Sequence, residues 1–222
     1  MKLDFSSVWQ YWPFLYHGAL TTLKITAMAA VLGFILGVLL SLIKISKCKP
    51  LVWFGNFYTS IFRGTPLLVQ LCIVHFGLPQ LTGMTLTTMQ SGVLTFSLNS
   101  AAYISEIFRG GINAIDRGQY EAAMSLGVGY RDMMKDIILP QAVKHILPSL
   151  VNEAISLLKE SSILSYIGAV ELLRAADQIT VLTFRFFEPY LVIAVIYYIL
   201  VMILSMVASR LERWVNRSDR VS

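Results

Sequence analysis

Charge is scarce in this sequence. Only 14% of its 222 residues are Asp, Glu, Lys or Arg, against 56% hydrophobic, and the mean hydropathy is +0.66. That balance excludes an ordinary soluble domain and fits several membrane-spanning helices, with length for one such domain and little more. Histidine is as thin: His17, His75 and His145 are scattered, and no catalytic constellation surrounds them. The two cysteines, Cys48 in a short basic loop and Cys72 in an apolar run, frame neither a disulfide nor a metal site. No Gly-Lys pair occurs, so there is no Walker A sequence, and any nucleotide energy must be bound by another chain. A signal-peptide layout is also missing, because the first long apolar run is the length of a full span and no basic stretch precedes it. The net charge of +5 does not point to nucleic acid, since the basic residues sit at the ends of apolar runs.

What is present is a series of apolar spans. Residues 1–17 are aromatic and weakly charged, as suits a segment with Trp and Tyr at headgroup level. The spans expected are about 20–43, 51–76, 92–112, 143–167 and 189–208, each judged against a hydrocarbon core of about 30 Å. In the first, Ala29, Gly33, Gly37 and Ser41 recur every fourth residue, a ridge that lets another helix approach closely. The second is interrupted by Arg63-Gly64-Thr65-Pro66. Gly and Pro free backbone hydrogen-bonding groups there, which builds either a mid-membrane ligand site or a plain kink with Arg63 reaching the interface.

Residues 77–91 contain no charge. On the third span, Asn99, Tyr103, Glu106 and Asn113 share one stripe with Arg109 at its margin, which predicts an interior face and a Glu106–Arg109 pair. The fourth span carries Lys144, Pro148, Asn152, Glu153, Lys159 and Glu160 and scores poorly as an apolar run. Yet Asn152, Glu153, Ser156, Lys159 and Glu160 fall within an arc of about 120°, so the helix should line something polar. Residues 168–188 read as a mixed-charge connection, and 210–222 as a basic tail.

Basic residues set the orientation. With five spans and the N-terminus outside, the inner loops hold Lys44, Lys47, Lys49, Arg109, Arg117, Arg131, Lys135, Lys144, Arg210, Arg213, Arg217 and Arg220, while only Lys2, Arg174 and Arg185 lie outside. The bias predicts N-out, C-in, and places residues 119–141, the longest polar interruption, in the cytoplasm. That loop reads as a short helix ended by Gly127, then an amphipathic segment over about 130–139 stopped by Pro140. Its surface mixes Ala122 and Ala123 with Glu121 and Asp132, which suits either a groove on a cytoplasmic partner or the membrane surface.

The residues here carry a resemblance. Glu121-Ala122-Ala123, then Gly127 after three residues, then Ile137-Ile138-Leu139-Pro140 after nine more, resembles in full spacing the EAA motif of ABC importer permeases. Arg63-Gly64-Thr65-Pro66-Leu67-Leu68-Val69-Gln70, the stretch 102–111 (AYISEIFRGG), Leu139-Pro140-Gln141-Ala142, Asn152-Glu153 and Lys159-Glu160-Ser161-Ser162 are similar to the polar amino-acid branch of type I permeases, a likeness covering about 15–210. The resemblance implies an all-α polytopic membrane protein: five transmembrane helices plus a cytoplasmic coupling helix within 117–140, the domain spanning 18–209. It implies that Glu121, Ala122, Ala123, Leu126, Gly127, Ile137, Leu139 and Pro140 couple to an ATPase. It further implies a second permease subunit, two cytoplasmic ABC ATPase subunits that bind ATP and Mg, an extracytoplasmic solute-binding protein, and the bacterial inner membrane. The chain itself is expected to be no enzyme, to hold no cofactor or metal, and to have no nucleic-acid partner.

The cargo expected is a polar amino acid, and Glu153 narrows it. A buried carboxylate needs a cation, either Lys159 or an arriving guanidinium or ammonium. Arginine is therefore the first choice, with Asn152, Glu153, Ser156 and Lys159 on one side and Gly64, Thr65, Pro66 and Leu67 at the opposite end. The competing reading is an ion-coupled secondary transporter, using paired charges such as Glu153 and Lys159, although such folds often carry inverted repeats and none is visible here.

Overall fold

The computed structural model describes residues 3–216, the side chains of Ser7 and 214–216 excepted. The expectations that rest on Lys2, Arg217, Arg220 and the rest of 217–222 lie outside the described residues. Among the described residues there is no strand. The helices are α1 (Ser6–Trp9), α2 (Trp12–Lys44), α3 (Lys49–Gly64), α4 (Leu67–Cys72), α5 (Leu78–Thr82), α6 (Thr88–Asn113), α7 (Arg117–Ser125), α8 (Tyr130–Asp132), α9 (Leu139–Glu160), α10 (Leu172–Thr183) and α11 (Phe187–Asn216). Wider π-helical turns, Ile73–Gly77 and Met133–Ile138, join α4 to α5 and α8 to α9, and a 3-10 segment, Ser161–Ile167, follows α9. A helix lies at each of the five expected spans.

The central pair is α2 against α6. The expected small-residue ridge is what allows it. A Cβ at Gly33 would stand 2.9 Å from the Ser100 Cβ, and one at Gly37 only 2.6 Å from the Ile104 Cβ. Ala29 is fully buried with Ile25, Leu71, Phe96, Leu157 and Leu164 in the largest core cluster. The α6 start is fixed by a capping box, with the Thr87 hydroxyl accepting from the Gln90 amide at 3.2 Å and the Gln90 side chain accepting from the Thr87 amide at 2.9 Å.

Several boundaries differ from the sequence reading, each for a local reason. The first span begins at Trp12 rather than near residue 20, with Pro13 in its first turn where a missing N–H costs nothing. At 33 residues it runs about 50 Å, beyond the hydrocarbon core. The second span is not one helix: Lys49–Gly64 and Leu67–Thr82 meet at 105°. By length and apolarity α2 and α11 qualify as spans, and the bent pair makes a third. The polar faces of α6 and α9 keep those helices below that bar. The fourth span is α-helical only to Glu160 and turns 3-10 until Gly168, whose φ is +84°.

The connection 168–188 contains a helix that the sequence reading missed. Glu171 caps α10, its carboxylate accepting from the Leu173 and Arg174 amides at 2.8 Å each, and the Tyr197 hydroxyl donates to it at 3.0 Å. Leu172, Ala175, Ala176 and Ile179 then bury one face with Leu15 and Ile193. The basic tail is likewise ordered at its start, since α11 continues to Asn216. At the other end, Arg185 ties residues near the N-terminus to α11, 2.8 Å from Glu188 and 3.6 Å from Asp4. The Ser6 hydroxyl and amide, with Arg185 beside them, hold the Asp4 carboxyl below the usual carboxylate range.

Candidate functional site

Three regions gather the expected functional residues. The first is the break between α3 and α4. Thr65 and Pro66 leave the helix for extended backbone, which frees the carbonyls behind them. Gln70, buried one turn into α4, answers them: its Nε2 donates to Phe62 O at 2.9 Å, Thr65 O at 3.1 Å and Thr65 Oγ1 at 2.9 Å. Asn99 of α6 adds a bond to Phe62 O at 3.1 Å and one to Gln70 Oε1 at 3.0 Å. The freed Phe62 and Thr65 carbonyls are thus satisfied by side chains of the protein itself. Gly64, Thr65 and Pro66 are exposed and Leu67 is half-buried.

The second region is the polar stripe of α6, expected to face inward. Asn99 is buried and Glu106 half-buried, but Tyr103, Arg109 and Asn113 are exposed, because the buried face of α6 is the one carrying Phe96, Ser100, Ile104 and Gly111. Glu106 takes two hydrogen bonds from Arg109, at 2.9 and 2.6 Å. It also pairs with Lys44, whose ammonium reaches Thr59 Oγ1 at 3.2 Å. The Lys44 partnership was not legible, because Lys44 reads as the first residue of a basic loop. Its stem instead lies along Gly55 and turns back into the bundle, as long side chains on helices do. Arg63 stands 3.7 Å from the same carboxylate and 5.3 Å over the Tyr103 ring. Asn56, Thr59, Ser60, Arg63, Gly64, Tyr103 and Glu106 line a cavity of about 430 Å³.

The third region is the polar face of α9. Glu153 is half-buried and accepts a hydrogen bond from Ser100 Oγ at 2.7 Å. It does not pair with Lys159. Ser156 and Lys159 line a second cavity of about 320 Å³ with Glu160, Ser162 and Ile163, and Asn152 is exposed. Gly64 therefore belongs to one cavity and Ser156 with Lys159 to another. Ser100 is the Glu153 partner that sequence reasoning missed: it sits opposite the Gly33 ridge, where it reads as a packing residue.

The loop after α6 is ordered. Asp116 caps α7 by accepting from the Gly118 amide at 2.6 Å. Gly127, at φ +72°, ends it, with Val128 N bonding Ala123 O at 3.0 Å and Gly127 N bonding Met124 O at 3.0 Å. Pro140 does not stop the second segment: α9 runs straight on from it, because the π-helical turn over Met133–Ile138 precedes a proline placed in the first turn of the α-helix. Ala123, expected on the docking surface, is 3% exposed and packs with Ile115, Met133, Ile138, Ala142 and Ile146. Its small side chain is what lets α7 lie close. Glu121, Ala122, Leu126, Gly127, Leu139 and Pro140 are exposed, Leu126 to 82%, and Ile137 is half-buried.

Comparison with known proteins identifies the family. The profile of the family described as binding-protein-dependent transport system inner membrane component matches residues 29–218. The arginine transport system permease protein ArtQ of Bacillus subtilis is 51% identical over 219 residues, 99% of this chain and 100% of that protein. The putative glutamine transport system permease protein GlnP of Rickettsia felis is 48% identical over 200 residues, 90% of this chain and 92% of its own. Among solved structures, an amino acid ABC transporter crystallised with histidines superposes with a TM-score of 0.91 at 45% identity, covering 96% of this chain and 99% of that one.

Proposed function

This chain belongs to the binding-protein-dependent transport system inner membrane component family as a permease subunit of an amino-acid ABC importer, and from that premise we propose that it carries a basic amino acid, arginine first, by alternating access driven by a separate ATPase. The carrying observation is the loop after α6. Ala123 and Ile138 anchor it in the core while Glu121, Ala122 and Leu126 face solvent on a rigid helix. An exposed small-residue helix of this kind fits a groove on a partner. The bias of basic residues supports an N-out, C-in orientation in the bacterial inner membrane, with this loop in the cytoplasm. The expected assembly is two permease subunits, two ATPases that bind ATP and Mg, and an extracytoplasmic binding protein.

Reconstitution tests it. Proteoliposomes holding the permease with its ATPase should import amino acid only with ATP inside and binding protein outside. Uptake by this chain alone on an ion gradient would overturn the reading in favour of a secondary transporter.

The cargo assignment rests on Glu153. Its carboxylate is half-buried with one hydroxyl partner and no cation, so an arriving guanidinium or ammonium meets an uncompensated charge. Glu153→Gln keeps the Ser100 contact and removes the charge. Arginine uptake should fall by about 10-fold or more, the worth of one charge-assisted hydrogen bond. Uptake measured with radiolabelled arginine at equal membrane levels decides, and an unchanged rate with intact assembly sinks the assignment.

A further inference from the structure

Three cations, Lys44, Arg63 and Arg109, converge on the single carboxylate of Glu106 where α2, α3 and α6 meet. Lys44 and Arg109 are committed, each by direct hydrogen bonds to it. Arg63 is not. Its contacts are one at 3.7 Å and the face of Tyr103 at 5.3 Å; its side chain is 45% exposed, and it lines the cavity of about 430 Å³. That volume lies within the roughly 300–1,000 Å³ usual for small-molecule sites.

Three cations facing one carboxylate leave net positive charge at this polar recess, and Arg63, which lines it without a direct hydrogen bond to Glu106, is placed to take an anion. The lining fits a small planar one. A guanidinium fork offers a carboxylate two parallel hydrogen bonds, and Asn56 and Ser60 bring an amide and a hydroxyl beside it. Gly64 opens onto the same space, with nothing within 4 Å of where a Cβ would stand, so a ligand meets bare backbone there. We propose that this recess receives the α-carboxylate of the amino acid in transit, with Arg63 as its partner. Lys44 and Arg109, locked on Glu106, hold the wall against which Arg63 is set. The assignment rests on the amino-acid importer reading and adds to it a second station: Glu153 reads positive charge on α9, and Arg63 reads the carboxylate on α3.

Binding to the purified permease–ATPase complex in nanodiscs, without binding protein, tests this. Two pairs of probes serve, arginine with agmatine and glutamine with 4-aminobutanamide, the second of each pair lacking only the carboxylate. The complex should bind at least one amino acid about 10-fold or more tighter than its decarboxylated partner. Arg63→Gln should bring that ratio close to one by weakening the amino acid while leaving the amine unchanged. Arg63→Lys should give an intermediate ratio, since it restores the charge without the fork. A wild-type ratio of one, or a ratio unaltered in Arg63→Gln, overturns the carboxylate site and leaves the importer reading standing. If Arg63→Gln fails to assemble, Arg63→Lys decides: a reduced ratio supports the site and an unaltered one overturns it. Binding of neither amino acid by the wild-type complex sinks both readings together.

Discussion

Replacing Glu106 by glutamine is expected to cost about 3 kcal/mol of stability, the lower end of what removing one partner from a buried charge cluster costs. Glu106 is the only carboxylate in contact with Lys44, Arg63 and Arg109 among the described residues. Lys44 has 4% of its side chain exposed, so it cannot recover water when its partner is neutralised. Arg63 and Arg109, at 45% and 53%, can, which is why the lower end of the range applies. In thermal unfolding of the purified protein the midpoint should drop by roughly 6–12 °C for a chain of this size.

The same reasoning fixes a second measurement. Lys44→Met alone should also destabilise, since Glu106 then loses its buried partner. The double variant Glu106→Gln with Lys44→Met should be closer to wild type than the sum of the two, because no buried charge is left unpaired. Simple additivity would show that Lys44 and Glu106 are not coupled and that the cluster is held by Arg109 alone.

How much of this could be read from the residues depended on whether the signal was local. The α2 ridge and the Glu106–Arg109 pair follow from helical spacing, and the structure has both. The α6 stripe is interior only at Asn99 and, in part, Glu106. The end of α7 at Gly127 was equally local, since a helix that stops at a left-handed residue favours glycine. Three features were not local. Lys44 is adjacent in sequence to loop lysines, and only the approach of α3 through Gly55 turns it inward. Gln70 reads as one polar residue in an apolar run until the break at Pro66 brings it under the Phe62 carbonyl. Glu171 caps α10, but a carboxylate among mixed charges looks like connection until Tyr197 and Thr22 are seen to close over that turn, Thr22 accepting from the Leu172 amide at 3.3 Å. Pro140 misled because proline punctuates helices at both ends. Here it opens a helix, and the π-helical turn before it carries the chain past.

Gly127→Asp is expected to leave the permease folded and in the membrane while abolishing most ATP-driven uptake. The position has open space, with no atom within 4 Å of where a Cβ would stand, so the core beneath it is untouched. Two effects remain. The residue must keep φ near +72°, where a non-glycine residue pays about 1–2 kcal/mol, and Asp is among the few that occupy it at all. The added carboxylate then sits at the C-terminal end of α7, where the helix dipole is already negative. It also lies beside Leu126, the most exposed apolar side chain of the loop. If that surface seats in a groove of the ATPase, an unpaired charge buried at its centre costs about 2 kcal/mol or more, which is roughly a 30-fold loss of docked complex. ATP hydrolysis by the assembled complex should then persist at its basal level and lose its response to loaded binding protein. The readings that separate docking from folding are the amount of permease in the membrane, the ATPase rate and the uptake rate, taken together. Normal uptake by Gly127→Asp removes the loop from the coupling path, and loss of the permease from the membrane shows that α7 is needed for the fold.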